Sequence, residues 1–554
     1  MPRLGSALTS YSQQITPKNL FRVGEQGFWY DETDFSTMFT DANGNTPIPA
    51  TLGTQADPFL GLVLDKHSGL QLGAEKIANG GFDVNTNGWS STGNITIVNG
   101  VVHSIPTTNA TWLLYLTLST VVGKRYKISV DCGVLSGSNS GASITAYNTS
   151  YVSYSNTTLN NTPNLTTVTS YFTATETSTY IALKRASTAT SGEEYIFDNV
   201  SVKEVSGNHA YQTVSASRPK LSALYSGIVA DSDFSQASWI KSGTCTVTGT
   251  NVINLPATND YIGQIWTTPA PIGAPFTGSI VLSGSGTIHL EAVRSGVGSF
   301  ELDLISVSLT TTPTRYFVSH SIVNSGQTGI SLRIVKEAGD TATQVTAAQA
   351  DLRYSNDCVG LPVYQRVTST SDYDAVGFPP RVVYDGVDDC LVSSSIDLTG
   401  TDKMTLWCGV RKFSDAARGI VCELSVSDAS NNGTFALSAP AGATNTFSFD
   451  SKGTTLVSSS QTSVSAPIAK LLTAQGDISG HNNILWSNGL VVDTQTGSQG
   501  TGNYGNYALN IGARNGTSLF FKGSWQQLIG RGAQTPDALA AQMNQYVRNK
   551  TKIY

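Results

Sequence analysis

Charge is what this sequence has least of. Only 13% of its 554 residues are Asp, Glu, Lys or Arg, about half the usual share of roughly 25%. The 33 basic and 39 acidic residues leave a formal net charge of -6. No Lys/Arg cluster offers a track for a phosphate backbone or an anionic bilayer, so neither nucleic acid nor membrane insertion is expected. Long apolar runs are missing too. No stretch reaches about 18 apolar residues, and Met1 to Ser10 has no apolar segment of the signal-peptide kind, so a chain made and kept soluble is expected. Cysteine is scarce: Cys132, Cys245, Cys358, Cys390, Cys408 and Cys422 lie without CxxC or Cys/His spacing, which reads as buried free thiols. The histidines are isolated, and Gly-x-Ser-x-Gly, HExxH and P-loop motifs are absent, so enzymatic activity is not expected.

Gly, Ser, Thr and Asn fill the place of charge, beside 39% hydrophobic and 9% aromatic residues. That is too apolar, and too nearly neutral, for disorder. Roughly three or four domains fit the length. Without a signal peptide, the Asn-x-Ser/Thr triplets at Asn94, Asn148, Asn199 and Asn515 reflect composition rather than glycosylation. Period-two runs such as Ile95 to Val102, Tyr126 to Cys132, Tyr180 to Lys184, Ile330 to Ile334 and Thr405 to Val410, separated by Gly/Asn/Ser turns, predict an all-β chain of several sandwiches. One closing helix is predicted, with Thr535 as cap, Pro536 at the first helical position, and Leu539, Met543 and Val547 on one face.

The chain also repeats itself. Asn79-Gly80-Gly81-Phe82-Asp83 leading to Trp89 parallels Asp231-Ser232-Asp233-Phe234 leading to Trp239. Leu165-Thr166-Thr167 before Tyr171-Phe172 parallels Leu309-Thr310-Thr311 before Tyr316-Phe317. A related connector follows each copy, Ala210 to Ser217 and Val363 to Thr370. Two copies of one sandwich are expected.

The first copy, through its opening, Trp89 and the closing Tyr195-Ile196-Phe197-Asp198-Asn199-Val200-Ser201-Val202, resembles carbohydrate-binding modules of the family 4/9 jelly-roll type. The second, through Asp233-Phe234-Ser235, Ala237-Ser238-Trp239-Ile240-Lys241-Ser242 and Ala347-Ala348-Gln349-Ala350-Asp351-Leu352, is similar to a jelly roll of phage tail-associated proteins, whose usual ending is instead Gly-Ala-Gln-Leu-Glu. From Gly377-Phe378-Pro379-Pro380 onward, with Tyr384 to Leu391, Met404-Thr405-Leu406-Trp407, Trp486-Ser487-Asn488-Gly489 and Leu509 to Arg514, the chain resembles concanavalin-like, laminin-G-type sandwiches. Gly27-Phe28-Trp29-Tyr30-Asp31, Asp34 to Phe39 and Leu64-Asp65-Lys66 are similar to a leader that phage proteins place before such a sandwich. Its usual continuation, Asn208-His209-Ala210 and Ser217-Arg218-Pro219, comes only after the first jelly roll. That order implies insertion of the module into the leader.

The expected organisation is a virion-attachment leader over 1–74, an inserted jelly roll over 75–206, a connector over 207–225, a second jelly roll over 226–356, a connector over 357–380 and a concanavalin/laminin-G-like sandwich over 381–554. The resemblance implies a bacteriophage virion protein of the tail or another appendage, made in the host cytoplasm. Its partners would be other virion proteins, through the amino-terminal segment, and host-surface polysaccharide, in a homo-oligomer, expected as a trimer by the habit of such appendages. Rival readings are a purely structural decoration, neck or baseplate component, a glycan-degrading tailspike enzyme, and a bacterial carbohydrate-binding protein.

Sugars stack their apolar faces on aromatic rings, and the candidates are Trp112 and Tyr115 in the first copy and Tyr261 and Trp266 in the second. A buried core aromatic is the competing reading for each; for Trp89 and Trp239, one early in each copy, the core is the stronger expectation. By resemblance, Asp83 and Asp198 would hold a structural calcium ion; simple turn and cap residues are the alternative. Asp385, Asp388 and Asp389 form an acidic cluster that turn chemistry accounts for.

Overall fold

The computed structural model describes residues 15–52, 57–107, 111–136, 141–154, 160–185, 192–225, 233–267, 275–296, 301–324, 327–354, 367–369, 372–373, 377–462 and 464–553. Among these the chain is almost entirely β, folded as three two-sheet sandwiches.

The largest sandwich is a scaffold built from three separate stretches of sequence. Its eight-stranded and nine-stranded sheets enclose Phe28, Tyr30, Leu406, Phe435 and Trp525. The carboxy-terminal stretch supplies most strands, from Arg381–Asp385 to Lys522–Arg531. The supposed leader supplies Gly27–Tyr30, which pairs antiparallel with the last strand from Gly27 opposite Arg531 to Tyr30 opposite Leu528. It also supplies Met38–Phe39 and Leu62–Val63, while the supposed connector after the first module supplies Ala210–Tyr211 and Lys220–Ser222. The stretches expected as a leader over 1–74 and a connector over 207–225 thus contribute strands to the terminal sandwich. Such strands, of two to four residues, are too short to carry a period, and tertiary pairing alone fixes them.

Both other sandwiches interrupt scaffold hairpins. Leu62–Val63 and Ala210–Tyr211 are antiparallel neighbours, with the first module between them in sequence. Lys220–Ser222 and Arg381–Asp385 are likewise neighbours, with the second module between. An insert whose two ends meet at adjacent strands leaves the host ladder intact, the circumstance in which insertion is tolerated.

The two inserts share one topology. In the first, a six-stranded sheet has the order Thr166–Thr173, Arg125–Ser136, Glu194–Val205, Val101–Pro106, Gly93–Val98, with Leu72–Glu75 also paired to Glu194–Val205, and the other sheet runs Ala142–Tyr147, Ser178–Arg185, Trp112–Ser119, Ser90–Ser91. The second repeats both orders with its own strands and adds Glu301–Ser308 at one edge. Phe82 with Trp89 and Phe234 with Trp239 pack as equivalent ring pairs, 5.5 and 4.4 Å between centroids. The connectors differ. Ala210–Tyr211 joins the nine-stranded sheet, whereas Val367–Ser369 pairs only with Asp372–Tyr373; residues 363–366 and 370 lie outside the described residues.

Two local expectations need correction. The run Ile95 to Val102 is a hairpin, Gly93–Val98 and Val101–Pro106, turned at Asn99 and Gly100 with φ of 53° and 83°; Asn-Gly suits this left-handed pair. The closing helix spans Asp537–Thr551, and Pro536 holds the N-cap position with no side-chain cap. Thr535 instead accepts a hydrogen bond from the Arg531 guanidinium at its Oγ1. Met543 and Val547 bury against Trp407, Leu471 and Ile529 on the outer face of the eight-stranded sheet.

Candidate functional site

The strand Trp112–Ser119 buries both Leu113 and Leu114 at its bulged start and alternates between core and surface from there. Leu114 and Leu118 point into the first module's core, while Tyr115 lies on the outer face, paired in register with Ala182 and Ser90. A bulge between Leu183 and Lys184 sets Trp112 opposite Lys184. Tyr147 pairs with Tyr180, and Tyr180 with Thr117. Three strands therefore deliver rings to one outer face, and a loop adds another.

Trp112 is the hub. Its ring centroid lies 4.7 Å from Tyr147, 5.4 Å from Tyr115, 5.6 Å from Tyr151 and 5.8 Å from Tyr180. Tyr151 and Tyr180 stack at 5.3 Å with an interplanar angle of 11°. Hydrogen bonding with Tyr151 leads the causes that raise the Tyr180 hydroxyl above its ordinary pKa. Lys184 Nζ donates to the Tyr147 hydroxyl at 3.2 Å. The loop is held by Asn148, whose Oδ1 accepts from the Ser150 and Val152 amides, and by Glu176, which accepts from the Thr149 amide and hydroxyl. Tyr151, 63% exposed, forms the rim, while Trp112, Tyr115 and Tyr180 are half-buried and Tyr147 lies beneath. Rings that brace one another lose little freedom when a flat ligand face lands on them.

The two tryptophans expected in the core divide. Trp239 is 2% exposed, but Trp89 is half-buried, donating its Nε1 to the Asn79 carbonyl at 2.9 Å. In the second module Tyr261 and Trp266 fall on Tyr261–Thr267, the strand equivalent to Trp112–Ser119. No comparable ring cluster forms around Tyr261 among the described residues: the Arg333 guanidinium covers its ring at 4.6 Å. The side chain of Trp266 lies outside the described residues.

Asp83 and Asp198 do come within electrostatic reach of each other. Burial, with Asp131 and Asp83 nearby, raises the Asp198 carboxyl above its ordinary value. Asp131 is engaged by Thr167 and Asn199. Among the described residues, however, these carboxylates are not part of any trio of ligand atoms that all lie within 4.8 Å of one another. Among the described residues, one acidic trio has ligand atoms within 4.8 Å of one another, Asp385, Asp388 and Asp389. It belongs to the turn after Arg381–Asp385, where the Asp385 carboxylate accepts the Val387 amide and Asp389 accepts the Asp385 amide. Burial lifts Asp389 to about 7.

The five described cysteines, all but Cys358, are free and buried. Asn208-His209-Ala210 proves structural. His209 Nδ1 accepts the Asp65 amide at 3.0 Å and its Nε2 meets the Val205 carbonyl, while Asn208 donates to the Gly27 carbonyl and to Asp65. Burial lowers His209 to about 4, so it stays neutral and fits both bonds. Arg218 likewise donates to the Gln212, Thr40 and Thr213 carbonyls. Both motifs sew the scaffold seam.

No protein-family model and no curated protein matches the chain. Solved structures similar to parts of it include the CBM40 of a Ruminococcus gnavus sialidase bound to α2,3-sialyllactose, at 14% identity over 26% of this chain and 83% of that one, TM-score 0.22. Others are the tandem CBM22 domains of Paenibacillus barcinonensis Xyn10C (9% identity, 52% of this chain and 99% of that one, TM-score 0.22) and the receptor-binding domain of botulinum neurotoxin type G (11%, 30% and 42%, TM-score 0.24).

Proposed function

We infer that the chain is a glycan-binding protein whose first module holds a saccharide on the Trp112, Tyr115, Tyr147, Tyr151 and Tyr180 face. The observation that carries this is the convergence of five rings on an outer sheet face, where a core role does not explain them. A pyranose would lay its C–H face on Trp112, with Lys184 and the tyrosine hydroxyls meeting its hydroxyls. The scaffold's contacts to this module fall elsewhere, on Lys124, Arg125 and Thr173, so docking does not involve the ring cluster.

The wider setting we propose is a bacteriophage appendage, with association into a symmetric homo-oligomer, binding without catalysis, and calcium bracing Asp83 and Asp198. What supports the setting is the motif resemblance of the sequence, now seen to run through one scaffold with two inserted modules. The test uses the full chain. It should be retained on host-surface polysaccharide without releasing reducing sugar, and antibodies to it should label an appendage of the particle. Absence of binding to any permissive host surface would leave architecture as the role; release of reducing sugar would make it a glycan-degrading enzyme.

A further inference from the structure

A second site lies where the first module meets the scaffold. Arg125 opens the strand Arg125–Ser136, and its side chain leaves the outer face of the six-stranded sheet toward the scaffold loop. Nη1 donates to the Asn43 carbonyl at 2.8 Å and Nη2 to the Gly44 carbonyl at 3.3 Å. The guanidinium lies 4.7 Å from the Tyr171 ring centroid and 5.0 Å from that of Phe39. It is 2% exposed, and no described carboxylate comes within ion-pair distance. Carbonyl dipoles and ring faces are its contact partners, and the Asp41 carboxylate favours its charge only from beyond ion-pair distance. Burying a cation with no directly paired counter-charge costs several kcal/mol, so an anion that reaches the guanidinium is favoured here.

Beside Arg125 is a cavity of about 570 Å³, within the size range of small-molecule sites. Lys127, two residues along the same face, lines it and also lacks an ion pair among the described residues. No Asp or Glu is among the lining residues, although the chain as a whole carries an acidic excess. Asn45 and Thr169 offer hydrogen bonds, and Leu70 and Leu72 give one wall an apolar surface. Two cations, uncharged donors and an apolar wall match a ligand with a carboxylate, hydroxyls and a C–H face. A bare inorganic anion would fill little of the volume and use none of the apolar wall.

We propose that this cleft between scaffold and first module binds a carboxylated saccharide, its acid group held by Arg125 and Lys127, independently of the ring platform. The probes are galacturonate, glucuronate and sialate oligosaccharides arrayed beside their neutral counterparts, with the full-length wild type, Lys127→Glu, Lys127→Met and Trp112→Ala. Lys127→Met keeps the aliphatic stem, so a loss shared by both Lys127 variants reads charge rather than folding. At least one carboxylated probe should lose tenfold or more in affinity in both, keep its affinity in Trp112→Ala, and have a neutral counterpart indifferent to Lys127. The proposal is overturned if no probe depends on Lys127, if the neutral counterpart loses equally, or if inorganic phosphate displaces the saccharide at equal concentration.

Discussion

Glu32 offers a sharp test of how the amino-terminal stretch is built into the scaffold. Its carboxyl is fully buried; Oε2 accepts the Gln527 amide at 2.6 Å, while Oε1 has no partner. Burial first, then the neighbouring Asp31 charge, lifts it from an ordinary 4.5 to about 8. The folded state therefore holds a proton that the unfolded chain gives up near pH 4.5. Stability from this group is fully present below that pH and is lost as pH rises through about 8. At roughly 1.4 kcal/mol for each pH unit between the two values, the loss is on the order of 5 kcal/mol. Glu32→Gln keeps an acceptor for Gln527 and removes the titration. Its amide, like the proton that the wild-type carboxyl holds, has no acceptor where Oε1 sits, so the two neutral forms bear a similar cost. The variant should thus melt close to wild type at pH 5 and well above it at pH 8, read as the scaffold transition in scanning calorimetry. Melting curves that stay parallel from pH 5 to 8 would refute the burial of this carboxyl.

Gly44, at φ +71°, has no room for a side chain: a Cβ would lie 2.0 Å from Arg125 Nη1. Gly44→Ala should therefore displace the arginine at a cost of roughly 2–4 kcal/mol, loosening the docking of the first module. Faster proteolysis between residues 66 and 75 would show it, and an unchanged cleavage rate would speak against the seam described here. Calcium, if held near Asp83 and Asp198, should raise the melting temperature of the full chain, and Asp83→Asn should abolish the rise. Identical melting in calcium and in chelator would remove the ion from the account.

The sequence made the β character, the closing helix and the duplication legible, because long alternating runs and paired aromatics such as Phe82 with Trp89 survive in one dimension. It hid the scaffold seam. Gly27–Tyr30 pairs with Leu528–Arg531 some five hundred residues away, and no local pattern announces such a partner. The Asn99-Gly100 turn was readable and was masked by the apolar run on either side. Trp112 and Tyr115 stand in one strand and could be named together, whereas Tyr147, Tyr151 and Tyr180 join them only through strand pairing. The density of tyrosine at 147, 151 and 154 was the available clue. Arg125 carried no signal, since its burial depends on the chain that packs over it.

The claim on which the rest depends is that the ring face around Trp112 binds sugar. Affinity for host-surface polysaccharide, measured by calorimetry on the full chain and on Trp112→Ala, tests it most directly. Removing a central aromatic anchor should cost about 2 kcal/mol or more, roughly thirtyfold in Kd, with the melting temperature little changed because Trp112 lies outside the core. Undiminished affinity in Trp112→Ala would contradict the account.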